Sequence, residues 1–440
     1  MKICVADIEA DGLLDSATRV WCMVFKDVAT QEVHKFGPDK VQEGIAFMDS
    51  CSVCIMHNGI GYDWPLLERL YGYQYNGKKI DTLLISRLQK PNRMTPRGCK
   101  KGPHSVEAWG MRFHRPKPEH EDWSQYSPEM LHRCEEDVEI QFRIYQYLIQ
   151  EGAGKWKEAH RLTHQLFTIL QKQEEYGWLV DQEYMRKCVH QLTFWMDRID
   201  RVLDPLLPMR CIKGTAINKP FLKSGKYSKW CLSWMEEKAH EVRGPFSRVT
   251  FEKVDLGSNV QTKDYLLSQG WIPQRWNIKD GERTSPKLSH DEEFEGITGG
   301  VGRLIARRVQ CRHRRSQIEG WINSIRPDGR ITQRITGIAA TGRLTHAGIV
   351  NVPGSGAFYG KQMRKCFICK PGYKLVGVDS DACQNRMLAA RVGDPAFTKT
   401  LLEGKKEDFT SIHYVNMKAI KKHAGLDVSY KICKNLNYAS

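Results

Sequence analysis

The sequence predicts a multidomain α/β protein, and three observations support this prediction. The chain has 440 residues, more than one ordinary hydrophobic core holds, so about two to four domains are expected. With 41% hydrophobic and 27% charged residues, its composition is that of a folded globular protein, which excludes disordered, collagen-like and coiled-coil classes. Residues 1–150 alternate strand-like and helix-like segments, a pattern typical of a layered α/β domain.

The first 150 residues contain short apolar runs that read as strands, each followed by a turn or a helix pattern. Strands are predicted at Met1–Ala6, Arg19–Lys26 and Ser52–Met56. Residues 90–104 are rich in Pro, Gly and Lys and predict a loop. Ser-Pro-Glu at 127–129, followed by apolar residues at helical spacing, predicts a helix over Ser127–Leu148.

The rest of the chain is more helical and then mixed. Long amphipathic helices are predicted over 155–205, whereas residues 210–250 show no clear period and stay unassigned. The later elements are an arginine-rich helix over Gly302–Gln317, strands and turns over Gly329–Val352, a buried strand over Lys374–Asp379 and a helix starting near Lys431.

The distribution of charge predicts a polyanionic partner. Residues 1–150 carry 19 basic and 21 acidic side chains, whereas residues 301–370 carry 14 basic and 2 acidic ones. A strongly basic middle attached to a nearly neutral first third indicates that a polyanion docks on one part of the molecule. Basicity that merely serves solubility is the alternative.

The N-terminus and the cysteines predict a cytoplasmic protein with no membrane partner. Acidic residues stand where a secretory signal needs an apolar run, and no apolar stretch approaches the roughly 18 residues that span a bilayer. Fourteen scattered cysteines are therefore expected to be reduced thiols. The Cys51/Cys54 and Cys366/Cys369 pairs lie in apolar runs and predict buried thiols rather than zinc ligands.

Acidic residues in the first third form a candidate metal site. Asp7 and Glu9 are two residues apart on a strand and so project from one face, where a Mg²⁺ or Mn²⁺ ion would relieve their repulsion. Asp63 stands at a glycine-rich turn into a helix, and the alternative role for it is compensation of the helix dipole. Asp137 lies in an acidic helix whose glutamates read as a solvated face.

Taken in order, D-x-E, HNGxxYD and an acidic helix with Asp resemble the three motifs of DEDD 3′→5′ exonucleases. The chain is most similar to the proofreading domain of family A DNA polymerases of the T7-type phages, and IDTLLISRL and HSVEAWGMRF resemble the segments between the motifs. The resemblance implies an RNase H-like fold in which Asp7, Glu9, Asp63 and Asp137 hold two divalent ions. The implied substrate is the 3′ end of single-stranded DNA.

The general base departs from this family pattern. The phage polymerases have Tyr four residues before the last Asp, where this chain has Arg133. His132 has the H-x4-D spacing of the histidine subclass and is the better base at neutral pH, since Arg cannot deprotonate. The alternative is that His132 is a surface histidine.

The basic middle predicts DNA contacts. Arg308, Arg312 and Arg315 share one side of a helix, an array suited to neutralising phosphates. The run from AATGRLTHAG to YGKQMRK resembles the stretch that leads into the palm of family A polymerases. The resemblance implies that Arg343 and Arg364 contact primer–template DNA.

The last 70 residues resemble the start of a polymerase site. KLVGVDSDACQNRMLAARVGD is similar to the family's first palm motif, which implies that Asp379 is a catalytic metal ligand of a second two-ion site. Gln384 stands where most members have the Glu that senses the absent 2′-OH. DFTSIHYVN and KICKNLNYAS imply that His413, Lys434 and Tyr438 contact the incoming dNTP.

The resemblance implies a division of the chain into an exonuclease domain (1–150), a mainly helical thumb (151–325), a partial palm (326–404) and the start of the fingers (405–440). No His-Asp hairpin supplies a second palm carboxylate. We therefore expect a complementing C-terminal polymerase fragment to be needed for extension. A thioredoxin-like processivity factor is a further partner of the polymerases that the chain resembles, and residues 210–250 occupy roughly its docking place.

The sequence thus predicts the N-terminal portion, ending inside the fingers helix, of a phage-type DNA polymerase, located in the host cytoplasm if phage-encoded. Two alternatives remain open. One is a stand-alone DEDD exonuclease whose remainder clamps DNA, and the other is a non-catalytic DNA-binding accessory protein. The four intact carboxylates argue against the second alternative.

Overall fold

The structure is a computed structural model that describes residues 2–238, 241–273, 275–279, 281–288, 297, 299–380, 382–430 and 432–434. The chain divides into two compact units, Met1–Cys369 and Lys370–Ser440. The finer division at residues 150, 325 and 404 stays a prediction.

A five-stranded mixed sheet organises the first part of the larger unit. Its strands are β1 (Ile3–Ala10), β2 (Val20–Asp27), β3 (Val33–Phe36), β4 (Val53–Met56) and β5 (Lys78–Asp81). They lie in the order β3-β2-β1-β4-β5, so that β1 is central, antiparallel to β2 and parallel to β4. The three strands predicted from the sequence correspond to β1, β2 and β4. The short strands β3 and β5 are too polar to show a strand pattern.

Helices cover both faces of this sheet. They are α1 (Val41–Asp49), α2 (Asp63–Tyr71), α3 (Thr82–Gln89), α4 (Val106–Arg112) and α5 (Pro128–Gly152), with a short 3-10 helix at Pro38–Lys40. On one face Met48 and Leu67 pack over Phe25 in the largest apolar cluster. On the other, Val138 and Phe142 pack against strand residues that include Val5, Val24 and Ile55. Burial on both faces fixes the register of the central strand.

Helix α5 begins where the sequence predicts. The Ser127 side chain accepts a hydrogen bond from the Met130 amide at 3.2 Å, and Pro128 occupies the first turn, so both helix-start signals are realised. The helix then runs to Gly152, four residues beyond the predicted end. Its apolar stripe lies on the sheet, which turns Asp137 inward.

The rest of the larger unit is helical with small paired strands. Its helices are α6 (Lys157–Tyr176), α7 (Gln182–Leu203), α8 (Lys229–Lys238), α9 (Asn259–Ser268), α10 (Gly300–Ile322) and α11 (Gly360–Lys365), with a 3-10 turn at Asp204–Leu206. Its strands are β6 (Trp178–Leu179), β7 (Met209–Ile217), β8 (Phe246–Lys253), β9 (Trp276–Lys279), β10 (Glu282–Pro286), β11 (Arg330–Ile331), β12 (Arg334–Ile338) and β13 (Leu344–Ala347). Helix α10 packs along α7, and β7 pairs with β8 in the region that the sequence leaves unassigned.

Three helices are defined among the described residues of the smaller unit, and one sequence prediction there is wrong. The helices are α12 (Cys383–Val392), α13 (Pro395–Glu403) and α14 (Ile412–Ala424), and they meet at Ala389, Leu401 and Ile412. The predicted buried strand over Lys374–Asp379 is wrong for this structure, because the segment has no regular structure and Val376 and Val378 are 85% and 94% exposed. A buried strand needs neighbours on its two edges, and no strand among the described residues pairs with this segment.

Among the described residues, none of the helices combines the length and the apolar character needed to cross a lipid bilayer.

An ion pair joins the loop over residues 90–104 to α5, the helix that carries Asp137. Arg93 donates to both carboxylate oxygens of Glu151 at 2.7 and 3.2 Å, and its guanidinium lies 4.5 Å from the ring centroid of Trp109. We expect Arg93→Ala to lower the free energy of unfolding by about 3 kcal/mol, because Glu151 keeps a partly buried charge without its partner. Urea unfolding followed by tryptophan fluorescence measures this change.

The matched control for this substitution is Arg97→Ala, in the same loop but exposed. Its free energy of unfolding should stay within about 0.5 kcal/mol of the parent value. Equal losses in the two variants would contradict the anchoring role of Arg93.

Candidate functional site

The central strand and the long helix bring three of the predicted carboxylates together. Asp7 and Glu9 lie on one face of β1, and Asp137 reaches them from α5. One carboxylate oxygen from each of these residues lies within 4.8 Å of the others. The three side chains therefore form a compact acidic cluster that could hold a metal ion.

Asp137 is the most buried member of the cluster, at 2% exposure. Its Oδ2 accepts a hydrogen bond from the ammonium group of Lys117. Its Oδ1 is also buried and has no hydrogen-bond partner among the described residues. A buried carboxylate oxygen without a donor is costly unless a cation or a donor reaches it.

Asp63, the fourth predicted carboxylate, lies beside this cluster. It is the first residue of α2 and is 4% exposed. The charge of Asp7 raises the pKa of the Asp63 carboxyl, and the backbone of Ile8, between Asp7 and Glu9, lowers it. The structure therefore brings all four predicted acidic side chains into one neighbourhood, although Asp63 stands outside the group of three.

The four carboxylates all have raised pKa values. Burial is the first cause in each case, and the neighbouring carboxylates add to it for Asp7, Glu9 and Asp63. For Glu9 these effects raise the pKa to about 7. The site therefore resists holding four negative charges without cations.

Two basic side chains offset part of this charge. Lys117 lowers the pKa values of Asp7, Glu9 and Asp137, opposing the effect of burial. The Arg133 Nε atom lies 3.6 Å from Glu9 Oε1, and the guanidinium stacks 4.9 Å from the ring centroid of Trp123. The sequence patterns did not predict that Lys117 and Arg133 contribute positive charge to this site.

Gln141 is a further residue that the sequence prediction missed. Its Nε2 donates to Asp7 Oδ1 at 2.7 Å, and its Oε1 accepts from the His57 amide at 3.0 Å. It therefore ties β1 to the loop that leads to Asp63. Its spacing of four residues from Asp137 on α5 is the signal that could have found it.

Asp81 has a structural role in the same loop. Its carboxylate accepts hydrogen bonds from the amides of Asn58 and Ile60, and it also caps α3 through the Leu83 amide. It thereby shapes the HNG segment that precedes Asp63.

The contacts do not support His132 as the general base. Its side chain is 62% exposed, and its Nδ1 lies 3.9 Å from Glu135 Oε2. Among the described contacts it has none with the four carboxylates, and Arg133 instead reaches Glu9. The assignment of His132 as the general base stays a prediction. Its exposed position favours the alternative, in which His132 is a surface histidine.

The basic helix turns two of its predicted DNA-binding arginines toward the protein. Arg308 forms an ion pair with Asp200 on α7 and donates to the Leu256 carbonyl. Arg312 donates to the Gly257 carbonyl and Arg315 lies 3.5 Å from Glu319. These contacts favour a structural role for Arg308 and Arg312, and their DNA contact stays a prediction.

Arg343 and Arg364 are exposed in the larger unit. Arg343 lies in the turn between β12 and β13, and the Arg364 Nε donates to the Pro353 carbonyl at 2.9 Å. Both guanidinium groups are accessible to a polyanion, as their predicted role requires.

In the smaller unit, Asp379 and Gln384 are exposed, Asp379 in the irregular segment and Gln384 in the first turn of α12. Tyr438 and Asp381, which stands two residues after Asp379, lie outside the described residues. His413 is buried at the start of α14, where burial and the charge of Lys434 lower its pKa. The fold therefore brings His413 and Lys434 near each other, although 21 positions separate them in the chain.

Known proteins resemble this chain in sequence and in fold. No protein family model matches the chain. It is 24% identical to the DNA-directed DNA polymerase of Escherichia phage T7 over 510 aligned residues, which cover 91% of this chain and 71% of that polymerase. The DNA-directed DNA polymerase of Enterobacteria phage T3 matches with the same identity and coverage.

A solved structure shares the fold. The POL domain of Pol1 from M. smegmatis, in complex with DNA primer-template and dNTP, superposes with a TM-score of 0.61 at 14% sequence identity, covering 98% of this chain and 71% of that one. The overall fold is thus a mixed α/β fold similar to that of a family A polymerase domain. By sequence, the chain is a homologue of the family A DNA polymerases of phages T7 and T3 over 91% of its length.

Proposed function

We propose that this DNA polymerase homologue carries a 3′→5′ proofreading exonuclease at the cluster of Asp7, Glu9, Asp63 and Asp137. The observation that carries the proposal is the convergence of three carboxylates within 4.8 Å, one of which has a buried oxygen that no described residue hydrogen-bonds. The four residues match the DEDD motifs in type and order. The substrate would be the 3′ end of single-stranded DNA.

The topology of the first sheet supports an RNase H-like exonuclease domain. Three antiparallel strands precede two parallel ones, and the acidic residues lie on the central strand and at the start of the helix after β4. The last acidic residue lies on a helix that packs across this sheet. This arrangement gathers all four carboxylates at one place.

The residues present fit divalent cations of the Mg²⁺ or Mn²⁺ type. All donors are carboxylate oxygens, the ligands that hard cations prefer, and the orphaned Asp137 Oδ1 supplies an acceptor that no described side chain uses. Asp7, Glu9 and Asp137 would hold one ion, and Asp63 would join Asp7 in binding a second. Such ions lower the pKa of bound water and stabilise the charge of a leaving oxygen.

The protein's own residues position the reacting groups at this centre. Gln141 orients Asp7, Lys117 holds Asp137, and Arg133 holds Glu9. Arg133 cannot accept a proton, so it contributes charge and not general-base catalysis. A scissile phosphate entering beside these two cations would be held by their positive charge.

The remainder of the chain would act in dNTP addition to a primer 3′-OH. The homology to the phage polymerases supports binding of primer–template DNA and dNTP, with Arg343 and Arg364 as DNA contacts. Asp379, Gln384, His413, Lys434 and Tyr438 would belong to the nucleotide site. We likewise propose the division of the chain into exonuclease, thumb, partial palm and start of the fingers. A thioredoxin-like processivity factor is proposed as a partner on the same basis.

In the proposed polymerase site, the segment over 374–380 would be covered by partner strands. The segment over 374–380 has the apolar pattern of a palm strand, yet Val376 and Val378 are almost fully exposed. An exposed apolar strand sequence gains free energy when partner strands cover it. Two-metal transfer needs carboxylates that hold both ions, and Asp379 would be one of them.

We expect Asp7→Asn to slow 3′ shortening of labelled single-stranded DNA on the order of 10³-fold, the scale of losing one group that stabilises the transition state. The reason is that Asp7 is shared between the two proposed ion positions. Denaturing gels of a 5′-labelled oligonucleotide incubated with Mg²⁺ measure the rate. Asp39→Asn, an exposed acidic residue on the same domain, is the matched control and should leave the rate unchanged.

Parent protein that binds the oligonucleotide without shortening it would contradict the exonuclease and favour the accessory alternative.

The raised pKa of Glu9 predicts a pH-dependent stability in metal-free buffer. Because the folded state holds this proton up to about pH 7 and the unfolded chain releases it near pH 4.5, stability falls as the pH rises through that window. Glu9→Gln should therefore be more stable than the parent at pH 8 in EDTA by up to about 3 kcal/mol, and equal to it at pH 4. Chemical denaturation at the two pH values measures the difference.

Added Mn²⁺ should reverse this order at pH 8, because only Glu9 provides a charged ligand. A pH-independent difference between the two proteins would contradict the pKa assignment.

The two activities should separate at Asp379. Where the protein extends a primer, Asp379→Ala should abolish that extension, because Asp379 is a proposed metal ligand of the polymerase site, while shortening stays within about twofold of the parent rate. Gel assays with primer–template DNA, with and without dNTPs, measure both; an equal loss of the two activities would contradict separate sites.

A further inference from the structure

Helix α6 follows the predicted end of the exonuclease domain at residue 150, yet it packs into the core of the first sheet. Phe167 of α6 is buried in the same apolar cluster as Ile60 and Trp64, and Leu170 packs against this cluster. Ile60 and Trp64 stand on either side of Asp63 in the chain. The helix therefore shares an apolar core with the segment that carries one of the four carboxylates.

His164, on the same helix, forms a hydrogen bond with the backbone at the end of β5. Its Nδ1 lies 2.7 Å from the His160 carbonyl oxygen, which can only accept, so Nδ1 carries a proton. Its Nε2 accepts a hydrogen bond from the Asp81 amide at 2.8 Å. Because the imidazole donates at one nitrogen and accepts at the other, its two partners fix both its tautomer and the orientation of its ring.

The Asp81 amide needs an acceptor from outside the sheet. Asp81 is the last residue of β5, which is an edge strand of the five-stranded sheet. An edge strand presents backbone amides that no neighbouring strand accepts. Asp81 is also 1% exposed, so without His164 its amide would be buried and unsatisfied. His164 therefore holds the end of β5.

The side chain of Asp81 links this fixed position to the HNG loop. Its carboxylate accepts hydrogen bonds from the Asn58 amide at 3.0 Å and from the Ile60 amide at 3.1 Å. Both amides belong to the turn that leads into α2, whose first residue is Asp63. A displacement of Asp81 would therefore move this turn, and with it a carboxylate of the acidic site.

We propose that His164 is a positioning residue for the exonuclease, because it holds Asp81 and, through Asp81, the loop that places Asp63. The inference rests on the proposed exonuclease function and extends it, since a helix in the region assigned to the thumb helps to set the geometry of the nuclease centre. Among the described residues, His164 forms no hydrogen bond or ion pair with the four carboxylates. It therefore acts through Asp81 and not on the reacting groups.

The test compares His164→Leu and His164→Gln in the full chain by the rate at which a 5′-labelled single-stranded oligonucleotide is shortened in Mg²⁺. Leu removes the acceptor, and we expect the rate to fall on the order of tenfold, the scale of losing a group that orients a metal ligand. Gln can place its Oε1 near the position of Nε2 and accept from Asp81, so it should restore most of the parent rate. His190→Leu, at an exposed histidine of α7, is the matched control and should behave as the parent.

Hydrogen exchange followed by mass spectrometry gives a second measurement, which does not depend on activity. In His164→Leu the amides over residues 57–63 should exchange faster than in the parent, whereas those of β1 and α5 should keep their protection, because only the loop loses its anchor. Equal acceleration across the whole first sheet would overturn the proposal, since His164 would then serve general stability.

Unchanged shortening in His164→Leu would also overturn it, as would a His164→Gln variant as slow as His164→Leu. If His164→Leu does not fold, His164→Asn takes its place, since Asn keeps a polar group near the position of Nδ1 but is too short to reach Asp81. If the parent protein does not shorten DNA, the proposed function fails, whereas hydrogen exchange over residues 57–63 still decides whether His164 holds the loop.

Discussion

The mutual repulsion of four carboxylates in a poorly solvated place is the constraint on which the first domain depends. Burial and neighbouring negative charges make ionisation of Asp7 and Asp63 costly, and the fold accepts this cost at the centre of its main sheet. Lys117, Arg133 and Gln141 offset part of it. Such an arrangement stabilises a fold poorly, because apolar residues at the same positions would pack without the free-energy cost of burying charge. It is well suited to holding cations against a phosphate, which is why we assign it a catalytic role.

The parts of this centre that were predictable are those encoded by local patterns. Strand β1 has a D-x-E spacing that puts two acidic side chains on one face. The start of α5 is indicated by Ser127, Pro128 and the apolar stripe that follows them. Lys117 lies in an irregular loop, where no periodicity indicates which way a lysine points. His132 and Arg133 are adjacent on α5, and only the packing of the helix on the sheet decides that Arg133 reaches Glu9 while His132 faces solvent.

Two other predictions failed or weakened because their outcome depends on distant partners. The density of arginines on α10 correctly indicates a basic helix, but it does not reveal that Asp200 of α7 and the Leu256 carbonyl engage Arg308. The apolar alternation in KLVGVD is that of a strand, yet strand formation requires backbone donors and acceptors on neighbouring chains. The sequence of a single element indicates its preferred secondary structure. The residues that pack against it determine whether that secondary structure forms and which side chains it exposes.

The two candidate sites differ in how they are assembled. All four carboxylates of the proposed nuclease centre come from β1, α2 and α5, which belong to one sheet and its packed helices within the first 152 residues. Of the nucleotide-site candidates, Asp379 lies on an irregular exposed segment, and Gln384 and His413 lie on helices that meet in a small apolar cluster. Apolar packing on the two faces of one sheet holds the elements that carry the nuclease ligands. The proposed hydrolysis would therefore depend on local packing alone, whereas the proposed extension would depend on strands that cover Val376 and Val378 beside Asp379.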